Sequence, residues 1–408
     1  WNWYEQAAQR RRRRCAVSMA MLKPGVLSVG AKHYDRRLFD ELIPLPEGTT
    51  YNAYLVRGSR ATALIDTVDP EKESVLFDCL TRAGVESLDY VVCNHAEQDH
   101  SGAIPAVLKR FPAAKLVVNP KCAEFVREHL LVPAERMHIV QDRATLDLGG
   151  KTMEFIFAPW VHWPETMLTY LREDAILFPC DLFGAHLAQS ETFVVDDRLL
   201  LDSAKRYYAE IMMPFRAQIR QHLATLSGYR LEMIAPSHGP VHRRPSLIID
   251  AYTDWVSDRV ANEVVLPYVS MHGSTKRLVE VFTDELAVRG VEVRPFNLTV
   301  SDIGELAMAL VDAATVVIAT PTVLTGPHPL AVSATYLVNA LRPKTRFVGV
   351  INSFGWGGRT VEVLNGMLTA LKAEILTPVT VRGYPKEADY AAVRALADGI
   401  ATKHTEMV

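Results

Sequence analysis

No stretch of this 408-residue chain approaches the roughly 18 consecutive apolar residues that a membrane-spanning helix requires, so no membrane association is expected. Cysteine is scarce: Cys15, Cys79, Cys93, Cys122 and Cys180 are odd in number, widely spaced, and include no C-x-x-C pair. That argues against a disulfide framework and against a cysteine-ligated zinc or iron centre. Reduced thiols in a cytoplasm are the simplest expectation. A strong charge of either sign is also missing, since 44 Lys and Arg stand against 47 Asp and Glu for a net charge of −3. Arg10 to Arg14 with Glu5 give the first 20 positions +4, which leaves the rest of the chain at −7. An acidic body repels phosphate backbones, so nucleic acid is not expected as a partner. After the Arg run, Cys15–Leu22 is short for a secretory signal and meets Lys23-Pro24-Gly25 with no clear cleavage site. Residues 1–21 are set aside as an N-terminal extension.

What remains is ordinary globular composition, 49% apolar and 22% charged. At about 150 residues per domain the length suggests two or three domains, and the pattern changes once. From Gly25 to Ala261, short strand-like runs alternate with helices. Asn52–Arg57 and Thr62–Asp66 flank Gly58-Ser59 as a hairpin, and Glu71–Arg82 has helical periodicity. Strands are expected at Tyr90–Asn94, Lys115–Val118, Met137–Gln141, Met153–Phe157, Met167–Leu171, Ala175–Pro179 and Met233–Ala235, with one long helix over Leu201–Ser227. This mixture suggests packed sheets with helices outside. From Asn262 onward, the apolar runs Val264–Val269, Val291–Phe296, Thr315–Ala319 and Arg346–Ile351 each precede a loop and a helix-like stretch. That alternation predicts a doubly wound parallel sheet. The expected domains are 22–260 and 261–408, within an α/β fold class.

The first half holds a cluster of metal-ligand residues. His95, Glu97, Asp99 and His100 fall within six residues at the end of a predicted buried strand. His162, Asp181 and His238 follow later strands in the same way, and strand ends are where side chains converge without joining the core. A single such histidine is more often structural, but seven together are hard to assign to packing. Four imidazoles and three carboxylates suit two ions, and a carboxylate such as Asp181 between two cations lowers their repulsion. Nitrogen and oxygen ligands fit iron, manganese or zinc.

His95-Ala96-Glu97-Gln98-Asp99-His100 resembles the metal motif of the metallo-β-lactamase superfamily, except that Glu97 stands where that motif usually has a second His. With that carboxylate and the spacing on to His162, Asp181 and His238, the pattern is similar to that of flavodiiron proteins, whose lactamase-like αββα domain carries a non-haem di-iron site. An anionic ligand favours the harder, redox-active iron couple. Gly48–Val56 and the segment from Ala204 to Phe215 also resemble that family. Tyr207 and Tyr208 in that segment are candidates either for helix packing or for hydrogen bonding around the metal ligands.

In the second half, Ser270-Met271-His272-Gly273-Ser274-Thr275 lies between a predicted strand and a helix, where unpaired helix N–H groups can hold a phosphate. Thr320-Pro321-Thr322 and Ser353-Phe354-Gly355-Trp356-Gly357-Gly358 follow two further strands at the same sheet edge, which makes a mononucleotide site. No G-x-G-x-x-G follows the first strand, so a dinucleotide is less favoured. Together the loops resemble a flavodoxin, with the first on the FMN phosphate and the others around the isoalloxazine. His272 stands where that family more often has Trp, and Trp356 either stacks on the flavin or fills a core.

The paired resemblance implies a minimal two-domain flavodiiron oxidoreductase that reduces O2 to water, NO to N2O, or both. It implies FMN and two Fe ions per chain: His95, Glu97 and His162 on one, Asp99, His100 and His238 on the other, and Asp181 between them. Electrons would come from a separate donor such as rubredoxin, a flavin reductase or coenzyme F420. A head-to-tail homodimer, alone or as a dimer of dimers, would set the FMN of one chain and Trp356 against the metals of its partner. The alternative is a zinc-dependent hydrolase of the same lactamase fold with an accessory flavodoxin-like domain.

Overall fold

The computed structural model describes residues 19–407, so most of the expected extension at 1–21 lies outside the described residues. Two compact units emerge. Of the described residues, the first comprises 19–39, Leu45–Ala204 and Ala217–Thr253; the second comprises Asp40–Pro44, Lys205–Arg216 and 254–407.

In the first unit, alternating buried runs build two sheets. One has seven strands in the order Ala20–Lys23, Val26–Ser28, Tyr54–Arg57, Thr62–Ile65, Tyr90–Val92, Lys115–Val118 and Met137–Ile139. The expected hairpin pairs Tyr54 with Ile65 and Arg57 with Thr62, whereas Thr62–Ile65, Tyr90–Val92 and Lys115–Val118 run parallel. The other sheet orders Thr145–Asp147, Thr152–Phe157, Met167–Leu171, Ile176–Phe178 and Met233–Ile234. Tyr54, Val56, Ile65 and Val92 of the first sheet share a buried core with Phe155, Leu171, Ile176 and Phe178 of the second. The opposite face of the first sheet packs Leu55, Leu64 and Val91 against Leu76, Leu80, Val107 and Val126 of helices Glu73–Arg82, Ile104–Arg110 and Pro120–Leu130. This sandwich leaves the strand ends free to carry the ligand loops.

The long helix expected over Leu201–Ser227 is interrupted. Helix Asp197–Tyr207 passes into a π turn at Tyr208–Met212, a 3-10 turn at Met213–Phe215 and a second helix at Arg216–Leu226. Pro214 supplies no N–H to a helical ladder and so favours the break.

The second unit is a parallel sheet in the order Glu292–Asn297, Ala261–Tyr268, Ala313–Val323, Phe347–Phe354 and Glu374–Ile375, with Val379–Arg382 also pairing to Phe347–Phe354. The central strand is buried from Ala313 to Pro321, as its continuous apolar run requires. Leu278, Phe282 and Leu286 of helix Ser274–Val288, with Val393, Ala397 and Ile400 of helix Glu387–Thr405, pack onto the sheet through Val264, Leu266 and Val317. Lys205–Arg216 joins this unit through ion pairs: Lys205 to Asp312 at 2.7 Å, and Arg206 to Asp302 and Glu305.

Candidate metal centre and flavin site

The first unit gathers all seven predicted ligands. His95, Glu97, His162 and Asp181 form one group and Asp99, His100 and His238 another, with the ligand atoms of each group within 4.8 Å of one another. Local structure explains the convergence. Strand Tyr90–Val92 leads into Asn94, whose backbone and side-chain N–H groups donate to the two oxygens of Asp66 at 2.8 and 3.0 Å. Glu97 precedes the single turn Gln98–Ser101, which turns Asp99 and His100 inward. The Ser101 hydroxyl donates to the carbonyls of Ala96 and Glu97, and the Thr67 hydroxyl donates to that of His100.

Asp181 joins the groups. Its Oδ2 lies 3.5 Å from His95 Nε2 and 3.4 Å from His162 Nε2, while its Oδ1 lies 3.0 Å from His100 Nε2 and 3.5 Å from His238 Nε2. Glu97 Oε2 closes the first group at 3.1 and 3.0 Å from His95 and His162, and Asp99 closes the second at 3.3 and 3.1 Å from His100 and His238. Asp99 and Asp181 are buried, and apart from the clustered imidazoles no group donates to their carboxylate oxygens. Buried carboxylates in that state call for cations. The imidazoles respond to the same demand: burial opposes their protonation, yet Asp99 and Asp181 hold His100 up at about 9, and Asp181 and Glu97 do the same for His162. Three carboxylates and four imidazoles in two groups fit a pair of divalent ions.

Three residues around the site were not anticipated. Glu165 accepts from His95 Nδ1 at 2.6 Å, and a polar residue on an unremarkable loop gives no sequence signal of that role. His186 lies 2.9 Å through Nδ1 from the Thr49 hydroxyl, with its ring 4.9 Å from that of His238. Cys180 Sγ falls within 4.8 Å of the ligand atoms of His100 and Asp181, so a soft atom does stand beside the cluster. Its position directly before Asp181 was the available clue. Burial, reinforced by the charge of Asp181, pushes this thiol well above its ordinary pKa. Tyr207 and Tyr208 lie buried in the second unit, where the Tyr208 hydroxyl donates to the Trp255 carbonyl at 3.4 Å.

The flavin loops meet at one end of the parallel sheet. Ser270, Met271, His272, Ser274, Thr275, Pro321, Thr322, Ser353, Phe354 and Gly355 line a cavity of about 210 Å³, with Gly383 from a loop not anticipated. Gly273 caps helix Ser274–Val288 at φ +89°, a backbone that favours glycine, although a Cβ there would meet open space. The Thr275 and Ser353 hydroxyls lie 2.8 Å apart and tie the first loop to the third. Thr320 is buried, and its carbonyl accepts from the Asn352 amide at 3.0 Å. Gly358 at φ +148° packs so closely on Thr322 that a Cβ would come within 2.5 Å of its methyl. Gly357 is also at positive φ, and Trp356 stands 76% exposed outside the cavity wall. A helix start, clustered hydroxyls and a concave floor fit the phosphate end of a mononucleotide.

The profile of the ODP family beta lactamase matches residues 49–239. A protein named nitric oxide reductase from Moorella thermoacetica is 34% identical over 388 residues, covering 93% of this chain and 97% of its own. The chain belongs to the flavodiiron protein family. Among solved structures, the rubredoxin oxygen:oxidoreductase of Desulfovibrio gigas superposes with a TM-score of 0.91 at 29% identity, covering 95% of this chain and 99% of its own. The flavodiiron protein of Giardia intestinalis gives 0.84 at 27% identity, over 95% and 98%. This flavodiiron protein is an oxidoreductase whose cofactors are FMN and a di-iron site, and its two clusters suit them. Among the described residues, no helix is long and apolar enough to cross a membrane.

Proposed function

We propose that this flavodiiron protein reduces O2 to water, NO to N2O, or both, using electrons that enter through FMN from a separate donor. The observation that carries the reading is Asp181, whose two oxygens face two separate sets of imidazoles. His95, Glu97 and His162 would hold one iron and Asp99, His100 and His238 the other, with Asp181 shared. When bound, the iron pair supplies redox equivalents and open coordination positions, and FMN supplies electrons. The chain's part is positioning. Glu97 and Asp181 would offer two anionic oxygens to one iron and Asp99 and Asp181 to the other, and the surrounding sandwich would keep both in a buried, low-dielectric setting. Around the flavin, the loops at Ser270–Thr275, Thr320–Thr322 and Ser353–Gly358 would hold phosphate and ring.

The names of the Moorella and Desulfovibrio relatives support NO and O2 as substrates and rubredoxin as one donor class, and a flavin reductase or coenzyme F420 are the other donors proposed. We assign the iron and FMN functions to residues 22–260 and 261–408, and the active assembly to a head-to-tail homodimer or a dimer of dimers in which the FMN of one chain serves the irons of its partner. The cytoplasm is the proposed compartment, a reading supported by Cys79, Cys93, Cys122 and Cys180, which are all buried free thiols. Purified protein is expected to be yellow and to carry about one FMN and two irons per chain. Two zincs, no iron, and no turnover of either gas after iron loading would contradict the redox reading and favour a hydrolase.

A further inference from the structure

Three of the four clustered imidazoles differ in what stands behind them. His238 Nδ1 lies 2.6 Å from the Thr50 carbonyl, a neutral acceptor. His100 Nδ1 has no hydrogen-bond partner. His95 Nδ1 lies 2.6 Å from Glu165 Oε1, and both side chains are fully buried. The same Oε1 accepts from the backbone N–H of Ala96 at 3.0 Å, which fixes the carboxylate against the ligand loop, while Oε2 has no donor. Glu165 is itself held from behind. Its carbonyl accepts from the Asn119 side-chain amide, and Asn119 in turn caps helix Pro120–Leu130 by accepting from the Cys122 N–H at 2.7 Å.

A carboxylate on one imidazole nitrogen holds the proton there, keeps the other nitrogen free to ligate, and makes that nitrogen a stronger donor. We propose that Glu165 is a positioning residue that makes the two halves of the metal site unequal, enriching the half built from His95, Glu97 and His162 in electron density. The inference rests on the di-iron reading above. The iron held by His95 would therefore be the more readily oxidised of the two, because a carboxylate is hydrogen-bonded directly to its imidazole, whereas His238 is backed by a carbonyl and His100 by no partner. A purely structural Glu165 would serve only to satisfy the Ala96 N–H and fill its space, and glutamine can do both.

The test uses iron-loaded full-length protein as wild type, Glu165→Gln, Glu165→Ala and Asn119→Ala, with FMN content and thermal unfolding as checks on folding. In Glu165→Gln the amide oxygen can still accept from His95 and Ala96, so both irons are expected to stay while the potential of one shifts positive, seen by redox titration and as a change in one of two Mössbauer sites. In Glu165→Ala the affinity for one iron is expected to fall about 10- to 100-fold, read by chelator competition. Asn119→Ala keeps the charge but frees the backbone of Glu165, and a smaller effect confined to the same iron is expected. A Glu165→Gln protein with wild-type potentials, or variants that weaken both irons equally, would overturn the proposal. Should Glu165→Gln fail to fold, the same one-iron selectivity read in Asn119→Ala settles the matter in either direction. Wild-type protein that binds no iron pair would instead refute the di-iron reading on which the proposal rests.

Discussion

Asp181 is the residue on which the metal assignment turns, because a neutral amide is a poor bridge between two cations. Asp181→Asn is expected to lower iron affinity by more than the roughly 10- to 100-fold that a change one bond removed from a metal costs. FMN should remain bound, and equal loss of both cofactors from folded protein would contradict independent sites. Gly273→Val is the complementary change. The space around Gly273 is open, so its cost comes from the φ of +89°, which valine adopts only with strain. Flavin content should fall while iron content holds. His242 makes a pH prediction. Burial lowers its pKa from 6.5 to about 4, helped back only by the bond to the Phe183 carbonyl. Its folded pKa lies below the unfolded one, so the unfolded chain binds the extra proton between these values. Stability from this group is complete above about 6.5 and is lost as pH falls toward 4, by about 3 kcal/mol in all. A His242→Gln variant should unfold with a flatter pH dependence across that window, and an unchanged slope would contradict the assignment. The seven clustered residues were legible in the sequence because each follows a strand. Glu165 was not, since only the folded chain brings a residue 70 positions away onto His95.

At the scale of elements, the sequence conveyed the strands with long apolar runs and missed those too short for a pattern, such as Val26–Ser28 and Thr145–Asp147. The interrupted helix shows the other limit. Periodicity continues through Tyr208–Met212, but the backbone does not, and the π turn places Glu210 beside Arg206, with Arg206 Nε 3.3 Å from its Oε1. Asp302 and Glu305 share that guanidinium, so one cation serves three carboxylates. Burial, outweighing the pull of Arg206, raises Glu210 to about 8. A carboxyl whose folded pKa is raised contributes fully below its unfolded value of 4.5, and the contribution is lost as pH climbs toward 8. Glu210→Gln is therefore expected to gain stability over wild type as pH rises through that range, on the order of a few kcal/mol. A constant difference across pH would show that Glu210 does not bind the proton. Gly304 reports on the same packing, since a Cβ there would come within 2.2 Å of Glu210 Oε1 and 2.3 Å of Arg206 Nη2. Gly304→Ala should be destabilising.

At the scale of the whole molecule, the sequence pattern changes near residue 260, whereas the second compact unit starts at Asp254 and also takes in Asp40–Pro44 and Lys205–Arg216, the latter with ion pairs to Asp302 and Asp312 that no local pattern reveals. The proposed cross-chain arrangement is testable by mixing a metal-dead chain, His95→Ala with Asp181→Asn, and an FMN-dead chain, Gly273→Val, under subunit exchange. Each hybrid should regain one working pair of sites; no recovery despite exchange would contradict it. The measurement that bears most directly on the central claim is gas consumption by the fully reduced, iron- and FMN-loaded protein under anaerobic control, with NO and O2 supplied in turn and a single defined reductant. Rapid uptake of at least one gas is expected, with N2O or water as product, and it should be abolished by Asp181→Asn and by Gly273→Val alike. Protein that holds both cofactors yet consumes neither gas would contradict the account.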